Sequence, residues 1–272
     1  MSLSRDVSAT PDEIRHINSR DAGRTIKVHV YKSSHPGPSP VLLNFHGSGF
    51  MLPLHGGDDE FCRRVSSETK YTVLDVSYRL TPDHPFPASL NDVEDAINYV
   101  LASPEEFDVS HVSLSGFSAG GNLALAAASN LFPRDTFRSL VTIYPVTDLS
   151  QDPATKTAPA RADFVIPTVV MRFFDNCYVP SSIRKQDPRL SPLYAQADRF
   201  PRRILIITAD GDTLAPEAEA LAQKIQELQG WHVVSERMSG CSHGWDKGTR
   251  AGTPQYAAKE RAYQLAFDLL NE

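Results

Sequence analysis

Apolar positions along the chain change period repeatedly, and each change marks an element. In Ile26-Lys27-Val28-His29-Val30-Tyr31 apolar and polar residues alternate, which is the period of a half-exposed strand. We read these residues as an edge strand, with residues 13–19 as an antiparallel partner. Residues 35–40 are dense in proline and glycine and mark a turn. The runs at 41–45, 71–78, 111–114, 140–145 and 203–208 are mostly apolar, as expected of parallel strands covered on both faces. A further strand is read at 232–236. Between the strands, Leu90, Val93, Ile97, Val100 and Leu101 recur at helical spacing, so residues 88–101 form an amphipathic helix. Asp58-Asp59-Glu60 opens another, because acidic side chains suit a helix N-terminus. Phe61, Val65 and Cys62 would face inward there. Helices are also expected at 123–128, 217–229 and 253–270. Strands alternating with helices define the α/β class, a mainly parallel central sheet with helices on both faces.

One segment departs from that rhythm. From 150 to 201, prolines stand at positions 153, 159, 167, 180, 188, 192 and 201. A single helical piece at 167–178 carries Val169, Val170, Met171, Phe173 and Phe174. A connection this long inside a compact domain is usually a functional insertion or a lid. We therefore read residues 1–272 as a single domain with 150–200 as a cap. No internal repeat or low-complexity tract interrupts it.

Composition narrows the possible roles. The 272 residues suffice for one large α/β domain with a substantial core. A net charge of −6, without a Lys/Arg cluster, argues against nucleic acid as a partner. Cys62, Cys177 and Cys241 are too few and too scattered for a disulfide framework or a CxxC metal site. They read as reduced thiols of a cytoplasmic protein. Residues 1–13 lack the apolar core of a leader peptide, and the longest apolar runs fall short of a membrane span.

The chemistry centres on Ser115-Gly116-Phe117-Ser118-Ala119-Gly120-Gly121-Asn122. A β-rich run leads in and an alanine-rich run leads out, so Gly-x-Ser-x-Gly falls on a strand-to-helix turn, the setting of a nucleophile elbow. Gly116 and Gly120 would take the strained angles of a tight turn and let strand and helix approach. Ser118 would stand at its tip. Serine is a weak nucleophile and needs a base, which in turn needs an orienting acid. Of nine histidines, His232 and His243 follow the serine. His232 opens a strand, whereas His243 follows one. Asp210 and Asp212 both lie just after the 203–208 strand, at the carboxyl edge of the sheet where open α/β proteins build their sites. A third motif, His46-Gly47-Ser48-Gly49, matches a glycine-rich oxyanion loop with Ser48 in place of one glycine. Gly47, Ser48 and Ala119 are the expected backbone donors, and His46 would brace the loop by hydrogen bonding. No HExxH, Walker-type or Cys/His spacing is present, so neither a metal nor a cofactor is expected. Met171, Phe174 and Trp245 are candidate lining residues of an acyl pocket, with ordinary core packing as the alternative.

Together these motifs resemble the hormone-sensitive-lipase-like esterases. The resemblance rests on HGSGF at 46–50, YRLTPDHPFPA at 78–88, GFSAGGN at 116–122, DPRLSPL at 187–193, Asp212-Thr213-Leu214 and His243-Gly244, and it spans residues 41–245. It implies an α/β-hydrolase fold with a small cap and serine carboxylesterase activity on short- or medium-chain acyl esters. It assigns Asp212 rather than Asp210 as the acid, because the family's Asp-x-Leu pattern falls there. It also suggests a cap helix over the acyl site at 167–178. Relatives that have abandoned hydrolysis, such as small-molecule receptors and dehydratase-like lyases, tend to lose the serine or the histidine; both are present here. The chain departs from the pattern at Phe117, where the family has an acidic or small residue. That change is expected to alter the pocket floor. The region before the first strands is short, so a reduced cap and a more open site are expected. A homodimer through the edge strand is compatible with the sequence.

Overall fold

The computed structural model describes residues 9–161 and 164–272. Residues 1–8 of the stretch read for a leader, and residues 162–163 of the expected cap, lie outside the described residues. Eight strands form one sheet in the order β1-β2-β4-β3-β5-β6-β7-β8. They are β1 (Glu13–Asn18), β2 (Thr25–Tyr31), β3 (Ser39–Phe45), β4 (Thr72–Val76), β5 (Phe107–Phe117), β6 (Leu140–Ile143), β7 (Arg203–Ala209) and β8 (His232–Met238). β1 pairs antiparallel with β2, and β2 antiparallel with β4. Every other pairing is parallel.

β2 corrects the reading of residues 26–31 as an edge strand. The expected partner, β1, is present, but β2 also pairs with β4, so the sheet edges are β1 and β8. The polar positions that suggested exposure do different things. Lys27 faces solvent, whereas His29 is buried, with the tilted ring of His55 centred 4.0 Å from its own.

Among the described residues there are six helices, all but α4 lying on the sheet: α1 (Asp59–Glu68), α2 (Ala88–Leu101), α3 (Ala119–Asn130), α4 (Thr168–Tyr178), α5 (Ala215–Gln226) and α6 (Pro254–Asn271). Apolar residues of α2, α3 and α5 pack on one face of the sheet, with Val28, Leu43 and Ile206 beneath them. Those of α1 and α6 pack on the other face, over Leu42, Val73 and Ile207. α1, α2, α5 and α6 each bury one stripe against the sheet and α3 is buried on nearly every side, which is why the strands read as continuous apolar runs. Among the described residues, no helix is long and apolar enough to cross a membrane.

Outside this frame, the 150–200 segment carries α4 and short turns. One of its carbonyls is fastened to the sheet layer, since the buried Asn122 side chain donates to Leu190 O as well as to Val146 O just before the segment, both at 2.9 Å. That bond explains why the elbow motif ends in Asn and why the 187–193 motif accompanies it. Ser191 adds a second tie, accepting from Leu149 N–H at 2.9 Å.

Candidate active site

Three strand ends meet at the carboxyl edge of the sheet. β5 ends at Phe117 and α3 begins at Ala119, leaving Ser118 alone in the turn with φ +51° and ψ −116°. A non-glycine residue in that region is strained, and the surroundings must hold it there. They do so by tight packing. A Cβ on Gly116 would lie 2.3 Å from Gly120 O, and one on Gly120 would lie 1.9 Å from Phe45 O. The two glycines are thus required because strand and helix touch. The unusual backbone angle expected of them belongs to the serine instead.

Ser118 Oγ lies 2.9 Å from His243 Nε2, and His243 Nδ1 lies 2.6 Å from Asp212 Oδ2. Asp212 Oδ1 accepts from Leu214 N–H at 3.0 Å, which fixes the carboxylate. Burial disfavours the charged His243 ring, but the Asp212 charge and hydrogen bond outweigh it and raise its pKa above the ordinary value. Asp210 does something else. Its carboxylate accepts from Gly240 N–H at 3.0 Å and Ser239 Oγ at 3.3 Å, tying the turn after β8 to the end of β7.

The loop after β3 lies against the serine. A Cβ on Gly47 would sit 3.4 Å from Phe117 O and 3.7 Å from Ser118 Cβ. Among the described residues, the backbone N–H groups of Gly47, Ser48 and Ala119 donate to no other backbone group. Ser48 does not crowd this arrangement, because its hydroxyl is engaged elsewhere. Ser48 Oγ accepts from Phe50 N–H at 2.9 Å and lies 2.7 Å from Tyr78 Oη, which itself donates to His46 O. His46 is a brace. Its ring stacks on Tyr78 with centroids 4.5 Å apart, and burial pushes its pKa down to about 3, so it stays neutral.

A cavity of about 380 Å³ opens over Ser118 and His243. Gly47 and Ser48 line it, with Phe50, Leu149, Met171, Phe174 and Leu214 making much of its apolar wall. Two of the expected lining residues, Met171 and Phe174, therefore reach it, both from α4. Phe174 rests on the oxyanion loop, where a Cβ on Gly49 would lie 2.5 Å from its ring.

Phe117 and Trp245 are corrections, because neither lines the cavity. Phe117, the last residue of β5, packs edge-on to Phe61 at 5.2 Å on the α1/α6 face. Trp245 packs beside Tyr144 at 5.2 Å in the same cluster. A side chain at the end of a strand points to the face its register dictates, and for Phe117 that face lies below the site.

Several residues of the site carry no local signal. Lys247 lines the cavity and bridges Asp58 Oδ1 at 2.7 Å and Asp246 Oδ2 at 2.8 Å, with its ammonium 3.9 Å over the Phe117 ring. Asp246 Oδ1 in turn accepts from Tyr144 Oη at 2.6 Å, and the Tyr144 ring lies 4.7 Å from that of His243. Phe117 thus provides a face for a cation where an acidic residue would have competed with Asp58 and Asp246 for it. On the cap side, Asp175 lines the cavity, and burial pushes its pKa up to about 6.

A fold with a mainly parallel sheet, a strained serine on a strand-to-helix turn and a Ser–His–Asp relay defines an α/β-hydrolase. The chain belongs to the family described as alpha/beta hydrolase fold, which matches residues 42–247, and within it to the hormone-sensitive-lipase-like carboxylesterases. It is 28% identical to the carboxylic ester hydrolase LipN of Mycobacterium tuberculosis over 97% of this chain and 78% of that protein. It is 27% identical to the ethyl acetate hydrolase of Pseudomonas putida, over 84% and 73% of the two chains. Among solved structures it superposes on EstE1, a thermophilic carboxylesterase cloned from a metagenomic library. That match has a TM-score of 0.80 at 27% identity and covers 97% of this chain and 92% of the other. The chain is an ester hydrolase of this family.

Proposed function

We propose that the chain is a serine carboxylesterase for short- to medium-chain acyl esters, with Ser118 as nucleophile, His243 as base and acid, and Asp212 as the orienting carboxylate. The observation that carries this reading is the continuous relay from Ser118 through His243 to Asp212, at 2.9 and 2.6 Å, on the floor of the cavity. Ser118 Oγ attacks the ester carbonyl while His243 Nε2 takes its proton. The carbonyl oxygen becomes an oxyanion, which the N–H groups of Gly47, Ser48 and Ala119 stabilise. His243 then returns the proton to the leaving alcohol, and the acyl group stays on Ser118. Water, deprotonated by the same imidazole, attacks the acyl-enzyme and releases the acid. Each lost donor of this kind costs about 2.7–4 kcal/mol of transition-state stabilisation.

The 150–200 segment is the cap of this single domain, and Met171 and Phe174 on α4 are its contribution to the acyl pocket. A cavity of about 380 Å³ is near the lower end of ordinary ligand sites, which favours modest acyl chains. Three free cysteines fit a cytoplasmic setting, and the net charge of −6 fits a small-molecule partner rather than nucleic acid. A second copy, if the chain dimerises, would pair along an open edge at β1 or β8.

Hydrolysis of p-nitrophenyl acetate, butyrate, octanoate and laurate by the wild type and Ser118→Ala tests the assignment. Expected is activity that is highest on the shorter esters and disappears in the variant. Equal rates for the two proteins across the series would remove Ser118 from the mechanism and point to a non-hydrolytic receptor or lyase on the same fold.

A further inference from the structure

Next to the oxyanion loop, where the His46 and His55 rings lie 5.7 Å apart, the structure assembles a second group of polar side chains. His29 on β2 and Asp75 on β4 are direct cross-strand neighbours, so their side chains leave the same face of the sheet side by side. His55, from the loop between the HGSG turn and α1, folds over them, with its ring 4.0 Å from that of His29. One ligand-type atom from each of the three residues lies within 4.8 Å of the others. His29 is 5% exposed and Asp75 fully buried. His29 Nδ1 and Asp75 Oδ2 are both buried without a hydrogen-bond partner among the described residues.

Buried polar atoms without partners are uncommon and call for an explanation. Here two of them belong to strong metal-ligand types and sit in one cluster with a third. We propose that His29, His55 and Asp75 form a binding site for a divalent transition metal of the zinc class. Two imidazoles and one carboxylate are a donor set that suits such an ion. Ligand bonds of about 2.0–2.2 Å at a tetrahedral angle place donor atoms roughly 3.4 Å apart. His55 Nε2 and Asp75 Oδ2 already stand 3.4 Å apart. In the metal-free chain His55 Nε2 donates to Asp75 O at 3.0 Å. Binding changes the tautomer: the Nε2–H bond breaks as the N–metal bond forms, and a proton exchanged through solvent is taken up at Nδ1, so the ring binds as a neutral imidazole. Water completes the fourth position.

The site is set on rigid elements. Asp75, Asn44 and Ser115 continue the row started by His29 across β4, β3 and β5. Asn44 Nδ2 donates to Asp75 Oδ1 at 2.9 Å and to Asp58 Oδ2 at 3.0 Å, and Ser115 Oγ donates to Asn44 Oδ1 at 2.8 Å. The free Asp75 oxygen is thus presented by a carboxylate whose other oxygen is already fixed, as metal-binding carboxylates are fixed by outer-shell bonds. Because Asp58 lines the cavity and holds Lys247, the same row joins the metal position to the wall of the active site. No local spacing announces the cluster, since its three members come from positions 29, 55 and 75 on separate elements.

The test is metal uptake by the intact chain, stripped by dialysis against EDTA. Zn²⁺ is titrated in competition with a chromophoric chelator, and Co²⁺ is followed by its visible absorption. Expected are one equivalent bound, a strong tetrahedral Co²⁺ spectrum and a higher Tm with metal. His55→Gln and His29→Gln should each weaken binding by more than the ~10–100-fold typical of an outer-shell partner. His35→Gln, at an exposed turn, should bind as the wild type does. Thermal melting and near-ultraviolet circular dichroism without metal establish that each variant is folded. The Co²⁺ spectrum of the wild type reports the coordination geometry and donor type even if one variant is not, and the other variant then tests the ligand. No stoichiometric uptake by the wild type would overturn the proposal and leave a buried water as the partner of the two orphaned atoms. So would uptake that survives in both variants, or uptake that is lost in His243→Gln while unchanged in His55→Gln.

Discussion

The two walls of the cavity are built differently. The sheet-side wall consists of strand ends and two short turns, and its functional atoms have almost no freedom. Gly120 cannot accept a Cβ, the Ser118 backbone is held strained, and His243, Asp212 and Tyr78 are bonded on both sides. The cap-side wall is a single helix hung on proline-rich turns. Met171 and Phe174 face inward, while Val169 and Phe173 are 72% and 57% exposed. One wall fixes a reaction that all esters share. The other, in the function proposed, selects among acyl groups, for which a looser construction is tolerable.

The largest losses are expected on the sheet side. Asp212→Asn should lower kcat by about 10⁴-fold with the fold retained, because the amide holds the wrong imidazole tautomer. The acid limb of kcat/KM reports the pKa of His243 in the free enzyme. The base must be neutral, so activity falls as pH drops through that value. With Asp212 raising the pKa, the limb should lie above the ordinary 6.5 of histidine. In Asp212→Asn that charge and hydrogen bond are gone and burial is opposed only by the charge of Asp246, so the limb of the residual activity should move to lower pH. A limb that stays put in the variant would remove Asp212 from its role.

How much of each wall the sequence discloses follows the same line. Ser118, His243, Gly47 and Ser48 lie in short motifs because neighbouring residues must make a single turn, and turn geometry is written locally. Asp212 and Asp210 are equivalent by position alone; the Asp-x-Leu pattern of the resemblance picks out Asp212, and the physical reason, its bond to His243, spans 31 residues. The misplacement of Phe117 and Trp245 has the same origin. Aromatic residues near a catalytic motif look like pocket, but which face they join depends on strand register and on partners such as Phe61 and Tyr144. The Asp58–Lys247–Asp246 bridge and the His29–His55–Asp75 cluster are illegible for a stronger version of that reason. They join elements distant along the chain. β2 was misread as an edge because alternation reports polarity, and His29 is polar yet covered.

A smaller effect is expected one step behind the oxyanion donors. Tyr78 holds the loop by donating to His46 O and pairing with Ser48 Oγ. Tyr78→Phe keeps the ring that stacks on His46 but leaves His46 O without its donor and Ser48 Oγ with only the Phe50 N–H. A hydrogen bond of this kind is worth about 0.5–1.5 kcal/mol, so kcat should fall roughly tenfold. KM should change little, because the loop acts on the developing oxyanion and not on the bound ester. A rise in KM with kcat unchanged would place Tyr78 in ground-state binding and blur the distinction between the two walls.

The smallest effect belongs to the cap, and it should appear as a change of preference. Phe174 projects from α4 onto the oxyanion loop at Gly49, closing one end of the cavity. Phe174→Ala removes the ring and leaves the Ser118 relay untouched. The rate on p-nitrophenyl octanoate relative to butyrate should therefore rise. The change should be at or below the ~10-fold lower end of what one methylene decides in an apolar pocket, since a wall hung on turns relaxes into part of the space. Phe173→Ala, one residue away on the exposed face of the same helix, should leave the ratio as it was. Equal responses of the two variants would mean that the helix acts through its overall placement. A loss of rate on every ester in Phe174→Ala alone would mean that the ring positions the oxyanion loop, so that the cap shares in the chemistry it was taken only to direct.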